Sequence, residues 1–398
     1  MPGKLISLTW RHNSDIYAPA SYKKACKYGA FIPESLGSTS VQLPAETMGV
    51  VSDAENAIRA LNDVARPGLR PLARLLLRTE SIASSKVEGM QLGVRELARA
   101  EARKESGGKP STTALEILAN IDAMQLAVED AAEVGSFSVT EIQAVHRKLM
   151  EAAPNAHIAG KIRTQQNWIG GNDYNPCGAD YVPPPPENVP ALLEDLCNAV
   201  NDEVLPPLVQ AALIHAQFET IHPFDDGNGR TGRALIQIVL RRRKIASSYV
   251  PPVSVVLARS KDRYIAGLNR FREDGGTSPW IGQFAEATAR AANLARAHLV
   301  AVQDLQTKWK DDLSNSVNPR SDAGAWKLIE ALPAHPMITA PVAAAAIDVS
   351  RPVVYNAIQH LQTAGVLIPL SEGARNQSWE AAGLFDLLAR LEAGDLPH

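Results

Sequence analysis

The chain has 398 residues, 45% of them hydrophobic and 21% charged, with a formal net charge of −3. That length has room for two or three domains. The charge excludes a protein that coats nucleic acid through global basicity, and no run reaches the roughly 18 uninterrupted apolar residues of a membrane span. Cys26, Cys177 and Cys197 have neither an even count nor metal-ligand spacing, so free thiols are expected. The polar stretch Met1 to Asp15 lacks the pattern of a secretory leader, and the expected address is the cytoplasm.

In chain order, residues 1 to about 40 show no clear periodicity and are expected to wrap over another part of the fold. From Ala45 to Ala100 leucines and valines recur at helical spacing, with Pro67 and Pro71 as helix starts or breaks and a helix over Leu72 to Val87. Glu101 to Pro110 reads as a loop, and Thr112 to Ala132 as a helix. Ser138 followed three residues later by Glu141 predicts a capped helix start. Gly160 to Tyr181, with Gly170-Gly171 and an Asn-Asp-Tyr-Asn-Pro cluster, predicts a short hairpin or extended flap, which four prolines (Pro183 to Pro186) terminate. Helices are expected over Val189 to Val204, Pro207 to Ile221, Thr231 to Lys244, Ser260 to Asp274 and Pro279 to Leu305, and a polar linker over Thr307 to Ser321. The fold class is mainly α.

The segment between the helices ending at Ile221 and starting at Thr231 carries the chemistry. It reads Ile221-His222-Pro223-Phe224-Asp225-Asp226-Gly227-Asn228-Gly229-Arg230-Thr231-Gly232-Arg233. Glycines ahead of a helix turn backbone N–H groups toward a ligand, and the helix N-terminus adds partial positive charge, so Gly227 to Arg230 forms a phosphate cradle. Arg230 and Arg233 leave one face of that helix toward the same anion. An acid beside the cradle can hold Mg²⁺, and a histidine can take a proton from an attacking hydroxyl. Singly, each residue also fits a capped turn with surface ion pairs; together they point to phosphoryl or nucleotidyl transfer.

This loop resembles the Fic family motif His-x-Phe-x-(Asp/Glu)-Gly-Asn-Gly-Arg-x-x-Arg at every fixed position. The resemblance implies a Fic-type helical core with a β-hairpin flap, preceded by a helical N-terminal region and followed by a small winged-helix-like domain. Its expected boundaries are 1–110, 111–305, a linker at 306–324, and 325–398. The implied activity moves AMP from ATP to a Ser, Thr or Tyr hydroxyl of a target protein, with His222 as the base and Asp226 holding Mg²⁺. The implied nucleotide contacts are Phe224, Asp225, Gly227, Asn228, Gly229, Arg230, Arg233, Tyr264 and Ile265. Phe224 also anchors the loop, and Ile265 stands where relatives carry a second aromatic residue. Relatives that phosphorylate have a lysine at the position of Gly229, so this chain sides with AMP transfer.

Ser84-Ser85-Lys86-Val87-Glu88-Gly89 resembles the family's inhibitory motif (Ser/Thr)-x-x-x-Glu-(Gly/Asn). The resemblance implies that Glu88, with Ser84, holds Arg233 and takes the place of the γ-phosphate. Some relatives use the same glutamate to remove AMP. His215, two turns before His222, is expected to be structural. Residues 325 to 392 resemble a winged helix: Ala325 to Leu332, Ala340 to Ala346, Ser350 to Ala364 and a turn at Glu372-Gly373. Residues 321–398 hold four Lys or Arg against eight Asp or Glu, and Arg351 is the one basic residue of the third helix. Phosphate neutralisation needs several cations, so docking a protein or forming a homodimer is favoured over DNA. The alternatives to AMP transfer onto a protein are a nucleotide-sensing DNA-binding regulator and a Fic enzyme with another donor.

Overall fold

A computed structural model describes residues 3–397 except 13, 16, 39–40, 65–69, 106 and 371–376. The chain opens with β1 (Gly3–Trp10) and β2 (Cys26–Pro33), an antiparallel pair with Gly3 opposite Pro33 and Trp10 opposite Cys26. The N-terminal region is therefore not purely helical as expected. These strands alternate weakly, because what fixes them is distant. The Phe31 N–H donates to the Val182 carbonyl at 3.0 Å, and Trp10 meets Trp168 edge-on at 6.1 Å. Cys26 and Cys177 are disulfide-bonded, which corrects the free-thiol expectation for both; Cys197 is free and buried. The fold brings together two cysteines 151 residues apart, a proximity that local spacing does not encode.

Five helices follow: α1 (Ala45–Asp63), α2 (Arg70–Val87), α3 (Val94–Glu105), α4 (Thr112–Leu126) and α5 (Val139–Met150). Helix α3 takes up the first half of the loop expected at Glu101–Pro110, stabilised by the Arg78–Glu101 ion pair back to α2. Pro67 lies outside the described residues. Helix α5 starts with the expected capping box of Ser138 and Glu141. Of the two forms expected, hairpin or extended flap, the segment takes the extended one, with an isolated antiparallel bridge between Ile169 and Tyr181. A side chain at Gly170, whose φ is +74°, would overlap the Asp180 carboxylate, and the Asn172 side chain instead organises a tight turn through the N–H groups of Tyr174 and Asn175.

Next come α6 (Val189–Asn201), α7 (Pro207–Ile221), α8 (Asn228–Arg242), α9 (Val253–Arg259), α10 (Lys261–Phe271) and the long α11 (Thr277–Ser316). Helix α11 runs eleven residues into the linker expected from 306, because Trp309 and Leu313 keep its apolar stripe buried. The last unit holds α12 (Gly324–Ala331), β3 (Met337–Thr339), α13 (Ala340–Ile347), α14 (Arg351–Thr363), β4 (Leu367–Pro369), β5 (Ser378–Ala381) and α15 (Leu384–Ala393). Its strands pair in the order β3-β5-β4, all antiparallel, beside α12, α13 and α14 as in a winged helix, with α15 following. The turn at Glu372-Gly373 lies outside the described residues.

The centre is α7, buried from Leu208 to Ile221 on every face, as its nearly all-round apolar sequence requires. Helices α1, α6, α8 and α11 pack around it, and α2 lies across α4, α8 and α9. Several of its buried polar groups find partners: the Gln210 amide donates to the carbonyls of Ala199, Val200 and Asp202, and the Gln217 amide donates to that of Glu34. Two acids satisfy helix N-termini. Glu55 accepts the Leu208 N–H of α7 at 3.1 Å, and Glu80 accepts both the N–H and the hydroxyl of Ser254 in α9. Because α7 and α8 are rigid and central, the loop joining them is held between two fixed ends.

Candidate active site

Helix α7 stops at Ile221, and His222 takes the left-handed conformation, φ 49° and ψ 62°, while its N–H still donates to the Phe218 carbonyl. That conformation costs a non-glycine residue roughly 1–2 kcal/mol, so the surroundings must impose it. Buried Arg163 does so: its guanidinium donates to the carbonyls of His222 (2.9 Å), Ile221 (3.4 Å) and Pro184 (2.6 Å). The Asn167 amide adds bonds to the carbonyls of His222 and Phe224. His222 is thus aimed by the root of the flap. Burial, then the positive charges of Arg272 and Arg163, push the His222 imidazole down to about 4. It is neutral at pH 7 and free to accept a proton, and negative phosphates beside it would raise its basicity.

Phe224 is fully buried and anchors the loop. The Asn228 side chain is engaged inside the turn, accepting the Phe224 N–H at 2.9 Å and donating to the Phe224 carbonyl at 2.8 Å. It shapes the cradle, while Gly227, at φ +76°, caps α8. Asp225 and Asp226 are both exposed. Asp226 is fixed by the Gly227 N–H (2.6 Å) and the Asn155 amide (3.1 Å), and lies 3.9 Å from Arg230.

The Ser84–Gly89 segment, expected to be inhibitory, sits on α8. The Arg233 guanidinium donates to the Ser84 hydroxyl (2.9 Å), the Ser84 carbonyl (2.8 Å) and the Glu88 carboxylate (2.7 Å). Burial opposes the charge on both partners, but each outweighs it for the other: Glu88 lies below the usual carboxylate range and Arg233 above its ordinary value. A side chain at Gly229 would overlap the Glu88 carboxylate and crowd Arg233. The glycine of the cradle is therefore also the space into which Glu88 fits. Arg230, buried as deeply, has among the described residues the sulfurs of Met90 and Met150 at 4.0 and 3.8 Å and the acids Asp226 and Glu116 at 3.9 Å.

Tyr264 lies beneath Arg233, buried, with its hydroxyl 3.0 Å from His215 Nε2, and Ile265 points the other way and is 42% exposed. The loop is not brought together with Ile265. His215 is fully buried and pushed down to about 3 by burial, the structural histidine expected. Glu219, one turn before His222, is buried against Gly232 and raised by burial to about 7.

Sequence reasoning missed Arg163, Asn167, Asn155 and His146. The His146 ring stacks on Phe224, centroids 3.7 Å apart and 4° between planes, and bonds the Asp226 carbonyl at 2.9 Å. Its one sequence signal is a histidine on the apolar stripe Ile142, Val145, Leu149.

Residues 136–240 match the Fic/DOC family profile and residues 48–129 match the profile of the Fic/DOC family N-terminal region. Among curated relatives, "Protein adenylyltransferase Fic" of Nematostella vectensis is 31% identical over 193 residues, 46% of this chain and 40% of that protein. "Protein adenylyltransferase fic-1" of Caenorhabditis elegans is 32% identical over 140 residues, 34% of this chain and 24% of that protein. The chain thus spans less than half the length of these relatives. The crystal structure of a Fic family protein from Desulfovibrio desulfuricans G20 superimposes with a TM-score of 0.53 at 20% identity, covering 86% of this chain and 98% of that one, which shows a shared fold. With both profiles matched in order and the motif loop set between two central helices, residues 48–129 and 136–240 of the chain are similar to the N-terminal region and the core of the Fic/DOC family.

Proposed function

We propose that this chain transfers AMP from ATP to a hydroxyl side chain of a protein and that Glu88 restrains the reaction. One observation carries the reading: a neutral, rigidly aimed histidine and a glycine-rich helix N-terminus with two buried arginines occupy one loop, and a carboxylate from α2 already holds one of those arginines. His222 takes the proton of the acceptor hydroxyl as its oxygen attacks the α-phosphorus. The bond to the bridging oxygen breaks, and pyrophosphate leaves. The N–H groups at the start of α8 and the guanidinium of Arg230 stabilise the phosphate charge, and proton removal contributes about 10²- to 10⁴-fold. An exposed carboxylate beside a phosphate cradle suits Mg²⁺, which binds proteins through one or two carboxylates plus substrate phosphates. Asp226 fits as that ligand, and the ion would offset charge on the phosphates.

With Glu88 on Arg233, the guanidinium is withheld from the outer phosphates, so ATP lacks the partner that aligns its α-phosphorus for in-line attack. Target choice falls to the flap, whose outer edge can pair with an extended segment of the target. The E88G variant, incubated with a protein lysate and ATP labelled at either the α- or the γ-phosphorus, tests the reaction. Protein labelled from the α-position alone supports AMP transfer, and labelling from the γ-position replaces it with phosphoryl transfer.

A further inference from the structure

We infer that His146 is a positioning residue for Asp226, an assignment that rests on reading the loop as a metal–nucleotide site. His146 is fully buried on α5, and its ring lies flat on Phe224. The Gly160 N–H donates to its Nδ1 at 2.9 Å, so the ring proton is on Nε2, which donates to the Asp226 carbonyl at 2.9 Å. One ring therefore ties the acid's backbone to α5 and to the root of the flap. Two other groups fix the acid's side chain: Asn155, from the turn that follows α5, donates to Oδ2, and the Gly227 N–H donates to Oδ1. Every Asp226 contact except Arg230 and Gly227 thus comes from residues 146–155.

Gly227 completes the fit, since a side chain there would stand 3.2 Å from His146 Nε2 and 2.9 Å from Met150 Sδ. The left-handed turn that starts α8 and the seat of His146 exclude any larger residue together. Pinned at its carbonyl, Asp226 has little freedom in its backbone, and its carboxylate keeps one direction relative to the N–H groups of the cradle. This is the geometry of a group that orients a metal ligand without touching the metal.

The test uses the full chain, with Mn²⁺ as probe in the presence of ATP, its binding followed by electron paramagnetic resonance, and with melting temperature measured in parallel. H146F keeps a ring on Phe224 and loses both hydrogen bonds; H146Q retains a donor for the Asp226 carbonyl. H146F is expected to weaken Mn²⁺ binding about 10- to 100-fold, as removal of such outer partners does, with a smaller loss in H146Q. In the D226A background, H146F should add little, because its effect runs through that acid. Should H146F fail to fold, H146Q and H146Q/D226A carry the same comparison. A lowered melting temperature with unchanged Mn²⁺ affinity, or losses from H146F and D226A that add in full, would overturn the assignment. If D226A itself leaves Mn²⁺ binding unchanged, the metal reading of the loop falls first and the role of His146 with it.

Discussion

Arg230 and Arg233 leave α8 one turn apart and are equally buried, at 3% and 1% exposure, yet their surroundings differ. Arg233 is closely engaged by the Ser84 hydroxyl, the Ser84 carbonyl and the Glu88 carboxylate. Arg230 faces two sulfurs and two carboxylates at the limit of an ion pair, and its Nε has no partner. A buried guanidinium without close partners is costly, and that cost favours an incoming anion. The loop is therefore left open at Arg230 and closed at Arg233. In the proposed function this difference places the control at Arg233: the segment that ends α2 would restrain the chemistry by engaging one arginine while leaving His222 untouched.

The largest effect should come from removing the base. In an E88G background, H222A is expected to lower AMP incorporation about 10²- to 10⁴-fold, measured as initial rates with α-labelled ATP. E88G alone should raise the rate about 5- to 150-fold, the usual range of coupling between sites. S84A removes one of three bonds to Arg233 and leaves Glu88 in place, so a rise of only a few-fold is expected, in line with about 0.5–1.5 kcal/mol for one hydrogen bond. A rise in S84A equal to that of E88G would shift the control from the carboxylate to the serine.

The pH dependence sharpens the same contrast. Glu88 titrates below the usual carboxylate range because of Arg233, so its hold is complete at neutral pH and is lost only as pH falls through that depressed value. The ratio of E88G to wild-type rates should be constant around neutrality and narrow in acid. The E88G rate itself should fall as His222 gains a proton toward its value of about 4. The smallest effect is expected from C26S. Losing the Cys26–Cys177 bond should cost about 2–4 kcal/mol of stability, read by denaturation, and leave the E88G to wild-type ratio unchanged, because the bond joins β2 to the flap and touches neither arginine.

The motif loop was legible because its chemistry is local: a histidine, acids, glycines and arginines in thirteen positions between two periodic helices. The pairing of Glu88 with Arg233 was legible only through family resemblance, since 145 residues separate the partners. What escaped is non-local. Arg163 looks like any basic residue in a turn until Ile221, His222 and Pro184 present their carbonyls to it. The N-terminal hairpin shows weak alternation because it is held by the flap and the disulfide. The hydrogen bond between the Tyr264 hydroxyl and His215, beside Arg233, also joins residues far apart in the chain. The helices of the last unit were legible through resemblance to a winged helix, whereas the reach of α11 to Ser316 depends on Trp309 and Leu313 burying a stripe within an otherwise polar segment.

Whether Arg233 is the group that Glu88 withholds can be measured directly by comparing initial rates of AMP incorporation in wild type, E88G and E88G/R233A. The account predicts that the gain of E88G disappears when Arg233 is removed. A gain that survives in E88G/R233A would contradict it.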